Sequence, residues 1–346
     1  MRTKLFKLSD LYHAASWLLT RIGYSLFPLL VLNRYATLKG RIKALTSEER
    51  FTVKKNLVTT FGETHSEKDI DEIVRRYFEF AVKFEMLLRA LPLKGCAALA
   101  RCPVEGLHHL DAALAQGRGV ILVSAHFGYA RLVEYILKMK NYKIRVVRSR
   151  SEMMNHAEKR QKKLSEGLTA FAGFMHRRLQ TPILVAEERE LFAGINVRPL
   201  VKALNQNDVL YLMGDGTRAM KFVTLDFLGF QLPFPTGYLN VALATGAVVL
   251  PVFAVDAANR YGIKLIIEKP LVLVQEEPPS PKAVNSNVES FARAFEAYVQ
   301  RYPHLYKMFS SQKKFERRLA RSRGEVAERY IPGRRRSNEK FSESEK

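Results

Sequence analysis

The chain has 346 residues, 47% of them hydrophobic and 26% charged, and its 56 Lys+Arg against 34 Asp+Glu give a net charge of +22. The apolar share excludes a disordered chain, and two cysteines, Cys96 and Cys102, exclude a disulfide scaffold; their spacing fits no common zinc or redox motif, so they read as free thiols in a reducing compartment. Only one apolar stretch nears bilayer-spanning length, which excludes a polytopic membrane protein, and the charge points to nucleic acid, anionic lipid headgroups or an acidic protein as partner.

That stretch, residues 15–32, is bracketed by Arg2, Lys4 and Lys7 before it and Arg34, Lys39, Arg41 and Lys43 after it. It is short for a span, holds Arg21, and carries Pro28, which breaks a continuous helix. It reads as a helix lying in the membrane interface, so residues 1–43 form an anchoring segment; the alternative is an ordinary buried helix. From Thr46 to Leu93 the pattern is helical. Thr46-Ser-Glu-Glu and Ser66-Glu-Lys-Asp offer capping chemistry, and Ile70, Ile73, Val74, Tyr77, Phe78, Phe80, Ala81 and Phe84 share one apolar face.

The texture changes after Pro103. Short apolar runs at Val120–Ser124, Ile144–Val147, Val209–Met213 and Val248–Val255 read as buried strands, with helices expected over 129–140, 155–164 and 237–244. The alternation predicts an α/β fold, a mostly parallel central sheet flanked by helices on both faces, over residues 44–312 as a single domain. Ile263–Glu268 reads as a further strand, antiparallel at an edge. Prolines mark 275–282 as a loop, a helix follows over 288–302, and then a short basic one. Residues 313–346 form a basic helix and tail, with 12 Lys/Arg against 6 Glu, disordered from Gly333 onward and suited to an anionic leaflet.

The first apolar strand ends in Ser124-Ala125-His126-Phe127-Gly128-Tyr129-Ala130-Arg131. In open α/β sheets ligands bind outside the carboxyl ends of strands, so His126 emerges where chemistry is expected, and Gly128 lets the chain turn sharply there. A neutral imidazole at that place can take a proton from a hydroxyl; a histidine merely packed at a strand end is the bland alternative. Met213-Gly-Asp-Gly-Thr-Arg218 opens at the same edge. There Gly216 allows close approach, and Thr217 and Arg218 can hold a phosphate or carboxylate; an ordinary turn is the alternative. Arg148 and Arg150 either cradle an anion or solvate a strand end. Tyr302–Phe309, with His304 and Lys307, either touches membrane or acyl chain or supplies core aromatics. The eight histidines suggest no metal cluster, His108-His109 suiting a helix surface.

Taken in order, Asn56-Leu57, the run Val104–Gly128 ending in Ser-Ala-His-Phe-Gly, Arg148, Met213–Arg218, Phe227-Leu-Gly-Phe230, Pro235-Thr-Gly237, Ala244–Phe253 and Arg301–Phe309 resemble the bacterial lipid A biosynthesis (lauroyl/myristoyl) acyltransferases, within the lysophospholipid acyltransferase superfamily. The resemblance implies an O-acyltransferase that moves a fatty acyl group from acyl carrier protein or coenzyme A to a hydroxyl of a lipid or glycolipid. It implies His126 as general base and no bound cofactor; no metal is expected, and Arg131, Arg148, Arg150, Thr217, Arg218, Gly128 and Gly216 are expected around the substrate. It also implies a place on the cytoplasmic side of the bacterial inner membrane, monotopic or peripheral, with the acidic carrier protein and the anionic membrane surface as partners and no nucleic acid.

The family's histidine is followed five residues later by a carboxylate, and here that position is Arg131, which cannot accept the imidazole proton. Three explanations stand: Glu134, three residues on along the same helix, replaces the acid; Asp215 from another loop does; or the acid is absent and the protein is a catalytically impaired lipid-binding homologue. A basic nucleic-acid-binding protein is a further alternative, although no helix-turn-helix, zinc-finger or RNA-binding strand pattern appears.

Overall fold

The computed structural model describes residues 26–94, 97–149, 190–193, 197–215, 221–258, 262–276 and 280–311, together with Gly23. Residues 1–22, the helix expected over 155–164 and the tail 313–346 lie outside the described residues, as does Cys96.

From Leu29 onward the described residues form three helices, α1 (Leu29–Thr46), α2 (Glu49–Phe61) and α3 (Glu67–Lys94). The helix breaks at proline as its chemistry requires: Leu26 is helical, Phe27 bends, and α1 starts afresh after Pro28. The expected segment boundary at residue 43 falls inside α1, which lies along α3. A reciprocal cap opens α3, the Ser66 Oγ accepting the Asp69 N–H at 3.3 Å while the Asp69 carboxylate accepts the Ser66 N–H at 3.0 Å. Ile70, Ile73, Val74, Tyr77, Phe78, Phe80 and Phe84 are buried along one face of α3, and Ala81 is half-buried beside them. On α1, Leu32 and Ala36 pack against Met86 of α3. The other side leaves Val31, Tyr35, Leu38, Ile42 and Leu45 exposed, an apolar stripe at helical spacing. No helix among the described residues is long and apolar enough to cross a membrane.

After α4 (Ala97–Ala100) the chain alternates between strands and helices: β1 (Val104–Glu105), α5 (Leu107–Leu114), β2 (Val120–Ser124), a 3-10 turn (Ala130–Leu132), α6 (Val133–Lys138), β3 (Ile144–Ser149), β4 (Glu190–Ala193), α7 (Arg198–Asn205) and β5 (Val209–Met213). A hairpin follows, β6 (Phe222–Phe227) and β7 (Phe230–Pro235), then α8 (Gly237–Thr245), β8 (Val248–Asp256), β9 (Ile263–Ile267) and α9 (Pro281–Arg301). Two 3-10 turns, Pro303–Leu305 and Lys307–Ser310, come after α9, and the basic helix expected beyond them lies outside the described residues.

Among the described residues seven strands form one sheet in the order β1-β9-β8-β2-β5-β3-β4. β8, β2, β5, β3 and β4 are mutually parallel, and β9 runs antiparallel to β8. β9 is not the edge: β1 pairs outside it through only two residues, too short a run to show in the apolar pattern. Every residue of β2 is buried, as a strand covered on both faces must be. The helix expected over 129–140 is split into the 3-10 turn and α6, and β3 runs on through Arg148, which therefore lies inside a strand instead of after it. The proline-rich stretch holds a helix start: Ser280 Oγ accepts the Ala283 N–H at 3.1 Å, Pro281 takes the first helical position, and α9 begins seven residues before the periodicity alone predicts.

Candidate active site

β2 and β5 are neighbours in parallel register, Val120 opposite Val209 and Ser124 opposite Met213. The ladder continues past the strand ends, with the Gly214 N–H donating to the Ser124 carbonyl at 2.7 Å. Two residues beyond the last pair stand His126 and Asp215. The Asp215 carboxylate grips that histidine twice: Oδ1 lies 2.8 Å from the His126 Nδ1, and Oδ2 accepts the His126 backbone N–H at 3.0 Å. The Asp215 side chain is 6% exposed and the His126 side chain 60%, so a buried acid holds an imidazole that reaches solvent.

The turn that carries His126 has a partner for each of its backbone N–H groups. Phe127 donates to the Ala125 carbonyl at 2.7 Å, Gly128 to Leu305 at 3.0 Å, Tyr129 to Ala254 at 2.9 Å and Ala130 to Phe127 at 3.2 Å. An isolated antiparallel bridge joins Phe127 to Tyr306. The Phe127 ring meets Phe253 of β8 and Phe295 of α9 edge-on, at 6.2 and 5.9 Å between centroids. Gly128 has φ +51°, and a Cβ there would stand 2.2 Å from the Ala254 carbonyl oxygen. Gly128→Ala is expected to displace the turn and destabilise the protein by about 2 kcal/mol or more, the range of a strained left-handed position plus an overpacked contact. Chemical unfolding checks this, and a variant as stable as the wild type would show the turn to be adaptable.

Of the two carboxylates considered for the imidazole, the structure brings Asp215 to Nδ1. Glu134 is buried and pairs with the Lys138 Nζ at 3.0 Å, one turn along α6. The reason is local: the 3-10 turn delays the helix until Val133, and Glu134 then faces its i+4 neighbour. Arg131 is exposed on that 3-10 turn. Arg150, Gly216, Thr217 and Arg218 lie outside the described residues, as does the Arg148 side chain, whose backbone pairs with Phe192 inside the sheet.

A second polar cluster lies behind the turn and is not visible in sequence. Asp256, the last residue of β8, accepts from the Tyr129 hydroxyl at 2.8 Å, from His304 Nε2 at 2.8 Å and from Lys83 Nζ at 3.3 Å. Arg76 Nη2 stands 3.1 Å from the same His304 nitrogen. Burial alone would raise the Asp256 pKa, yet His304, Lys83 and Tyr129 together hold it well below the usual carboxylate range. Burial keeps His304 below its ordinary value against the pull of Asp256. His304 is 1% exposed, so it is a core group and not a contact for membrane or acyl chain. Asn56, singled out in the N-terminal region, ties α2 to the second 3-10 turn after α9, its Nδ2 donating to the Phe309 carbonyl at 2.8 Å.

Cys102 is a buried free thiol pushed up to about 11 by burial. The His108 and His109 rings lie 4.0 Å apart on α5, tilted at 53°, and no group of three metal-ligating side chains occurs among the described residues.

An imidazole held by a buried carboxylate, at the carboxyl edge of a mostly parallel sheet, marks this as an α/β protein with the layout of a proton-transfer site. The chain belongs to the bacterial lipid A biosynthesis acyltransferase family, whose family model matches residues 7–315, and the family is one of acyltransferases. No curated protein matches the chain.

Proposed function

We propose that the protein transfers a fatty acyl group from an acyl thioester, on acyl carrier protein or coenzyme A, to a hydroxyl of a lipid or glycolipid at the bacterial inner membrane. The observation that carries this reading is the 2.8 Å contact between His126 Nδ1 and Asp215 Oδ1. With Nδ1–H donated to the carboxylate, Nε2 is the nitrogen that acts as base. It takes the acceptor's hydroxyl proton as the oxygen attacks the thioester carbonyl; the tetrahedral intermediate then collapses, the C–S bond breaks, and the imidazolium returns the proton to the leaving thiolate. Asp215 stabilises the imidazolium between these steps.

Attachment to the membrane, on its cytoplasmic side, is part of this reading, and α1 supports the attachment. Its exposed stripe of Val31, Tyr35, Leu38, Ile42 and Leu45, with Arg34, Lys39, Arg41 and Lys43 on the same helix, suits the interface between acyl chains and anionic headgroups. Arg131 at the position of the family's usual acid favours one other reading, a lipid-binding homologue without catalysis.

The two readings separate in one assay. The full-length protein is incubated with labelled acyl carrier protein or acyl-coenzyme A and a panel of hydroxyl lipids, beside His126→Ala. Transfer by the wild type and its loss in the variant are expected. Equal inertness of both proteins across the panel, with binding to anionic vesicles retained, would establish the non-catalytic reading.

A further inference from the structure

His126 is flanked by two cations that the proton-transfer chemistry does not use. In the antiparallel bridge between Phe127 and Tyr306, Gly128 stands opposite Leu305, and Lys307 therefore stands opposite His126. Bridged backbones run about 5 Å apart, so the Lys307 side chain starts beside the imidazole. Arg131 is exposed on the 3-10 turn of the same loop, close enough for its charge to act on Lys307. Lys307 Nζ lies over the rings of Phe84 and Phe80, 4.0 and 5.5 Å from their centroids, and Glu85 of α3 is the carboxylate that acts on it. Among the described residues neither the Arg131 nor the Lys307 side chain enters a hydrogen bond or an ion pair. The remaining charge at the imidazole, Asp215, is already engaged by His126.

Two like charges near one another repel, and an anion bound between them relieves the repulsion. A guanidinium supplies a planar fork for two oxygens and an ammonium a point charge for a third, the donor set of a phosphate or carboxylate. We propose that Arg131 and Lys307 bind an anionic group of the hydroxyl acceptor, placed a few bonds from the hydroxyl that is acylated. This rests on the reading of His126 as the base. The anion belongs to the acceptor and not to the thioester donor, because the phosphate of a phosphopantetheine arm is separated from its sulfur by the length of the whole arm, whereas these cations begin beside the imidazole. Arg131 thus occupies the family's acid position as a substrate ligand, and the acid's own work passes to Asp215.

The test is binding, measured without an acyl donor, so that its result does not depend on whether transfer occurs. Full-length protein in non-ionic detergent is titrated with hexyl phosphate, inorganic phosphate and hexanol. Hexyl phosphate is expected to bind more tightly than either of the other two, and Lys307→Met and Arg131→Gln are each expected to weaken it by about tenfold or more, as for a lost charge-assisted hydrogen bond. Burial, with the Arg131 charge adding to it and Glu85 opposing, pushes the Lys307 pKa down to about 8. Wild-type affinity should therefore fall between pH 7 and 9, and Lys307→Arg should retain binding and remove that fall. Unchanged affinity in both loss variants overturns the proposal. Inorganic phosphate binding as tightly as hexyl phosphate also overturns it, since the site would then hold a free ion. A protein that binds hexyl phosphate through these two residues yet transfers no acyl group to any acceptor overturns the base reading alone.

Discussion

Asp215→Asn is expected to lower kcat for acyl transfer by about 10³- to 10⁴-fold with little change in KM, the loss seen when a histidine base is left in the wrong tautomer. Two donors, the His126 backbone N–H and Nδ1–H, meet the two carboxylate oxygens. An amide has one acceptor oxygen. If that oxygen stays on the backbone N–H, the amide NH₂ faces Nδ1, the ring proton moves to Nε2, and the nitrogen that must take the acceptor's proton already carries one. Glu134→Gln is the control, since Glu134 pairs with Lys138 on α6. Steady-state kinetics on the three proteins decides the matter: a larger loss of kcat in Glu134→Gln than in Asp215→Asn would transfer the orienting role to Glu134.

Asp256→Ala should act on stability. It leaves the buried His304 and the nearly buried Lys83 without their shared carboxylate and removes the acceptor of the Tyr129 hydroxyl. Breaking a buried charge pair costs about 3–5 kcal/mol. The low end, about 3 kcal/mol, applies here because 27% of the Asp256 side chain stays exposed, and for a domain of this size it corresponds to a fall in Tm of roughly 6–12 °C. The pH dependence has a definite sign. His304 has a lower pKa folded than unfolded, so the unfolded chain binds its proton more readily. That contribution is fully present above the ordinary histidine value of about 6.5 and is lost as the pH falls below it. Thermal unfolding between pH 7.5 and 5 should show a falling Tm in the wild type and a shallower fall in His304→Gln. A parallel pair of curves would place the acid sensitivity elsewhere.

The parallel strands were legible because a strand buried on both faces is an uninterrupted apolar run; Gly119 precedes Val120–Ser124, and Asp208 and Gly214 flank Val209–Met213. Their adjacency was not. Strand order depends on how helices and connections pack, so nothing local to Ser124 or to Met213 says that they face each other, and Asp215 could only stand beside Glu134 as an alternative. The β6–β7 hairpin carries no turn signal although β6 alternates in exposure, because Leu228 and Gly229, both at positive φ, form a two-residue turn without the Asn-Gly or Asp-Gly signature. Ser280-Pro281 suits a loop as well as the helix start it forms, and only the apolar face of the residues after it, Val288, Phe291, Ala292 and Phe295, distinguishes the two. The Asp256 cluster draws on α3, the Tyr129 turn, β8 and the segment after α9, contacts between distant parts of the chain that no pattern in any one of them reports.

The bridge from Phe127 to Tyr306 also orders events during synthesis. The histidine turn is written early in the message, but its carbonyl anchor at Leu305 and the buried ring of His304 leave the ribosome only after every strand of the sheet has been translated. A nascent chain can pair β2 with β5 while this rim still lacks its last fastening, and a premature stop before Pro303 would release a sheet without it.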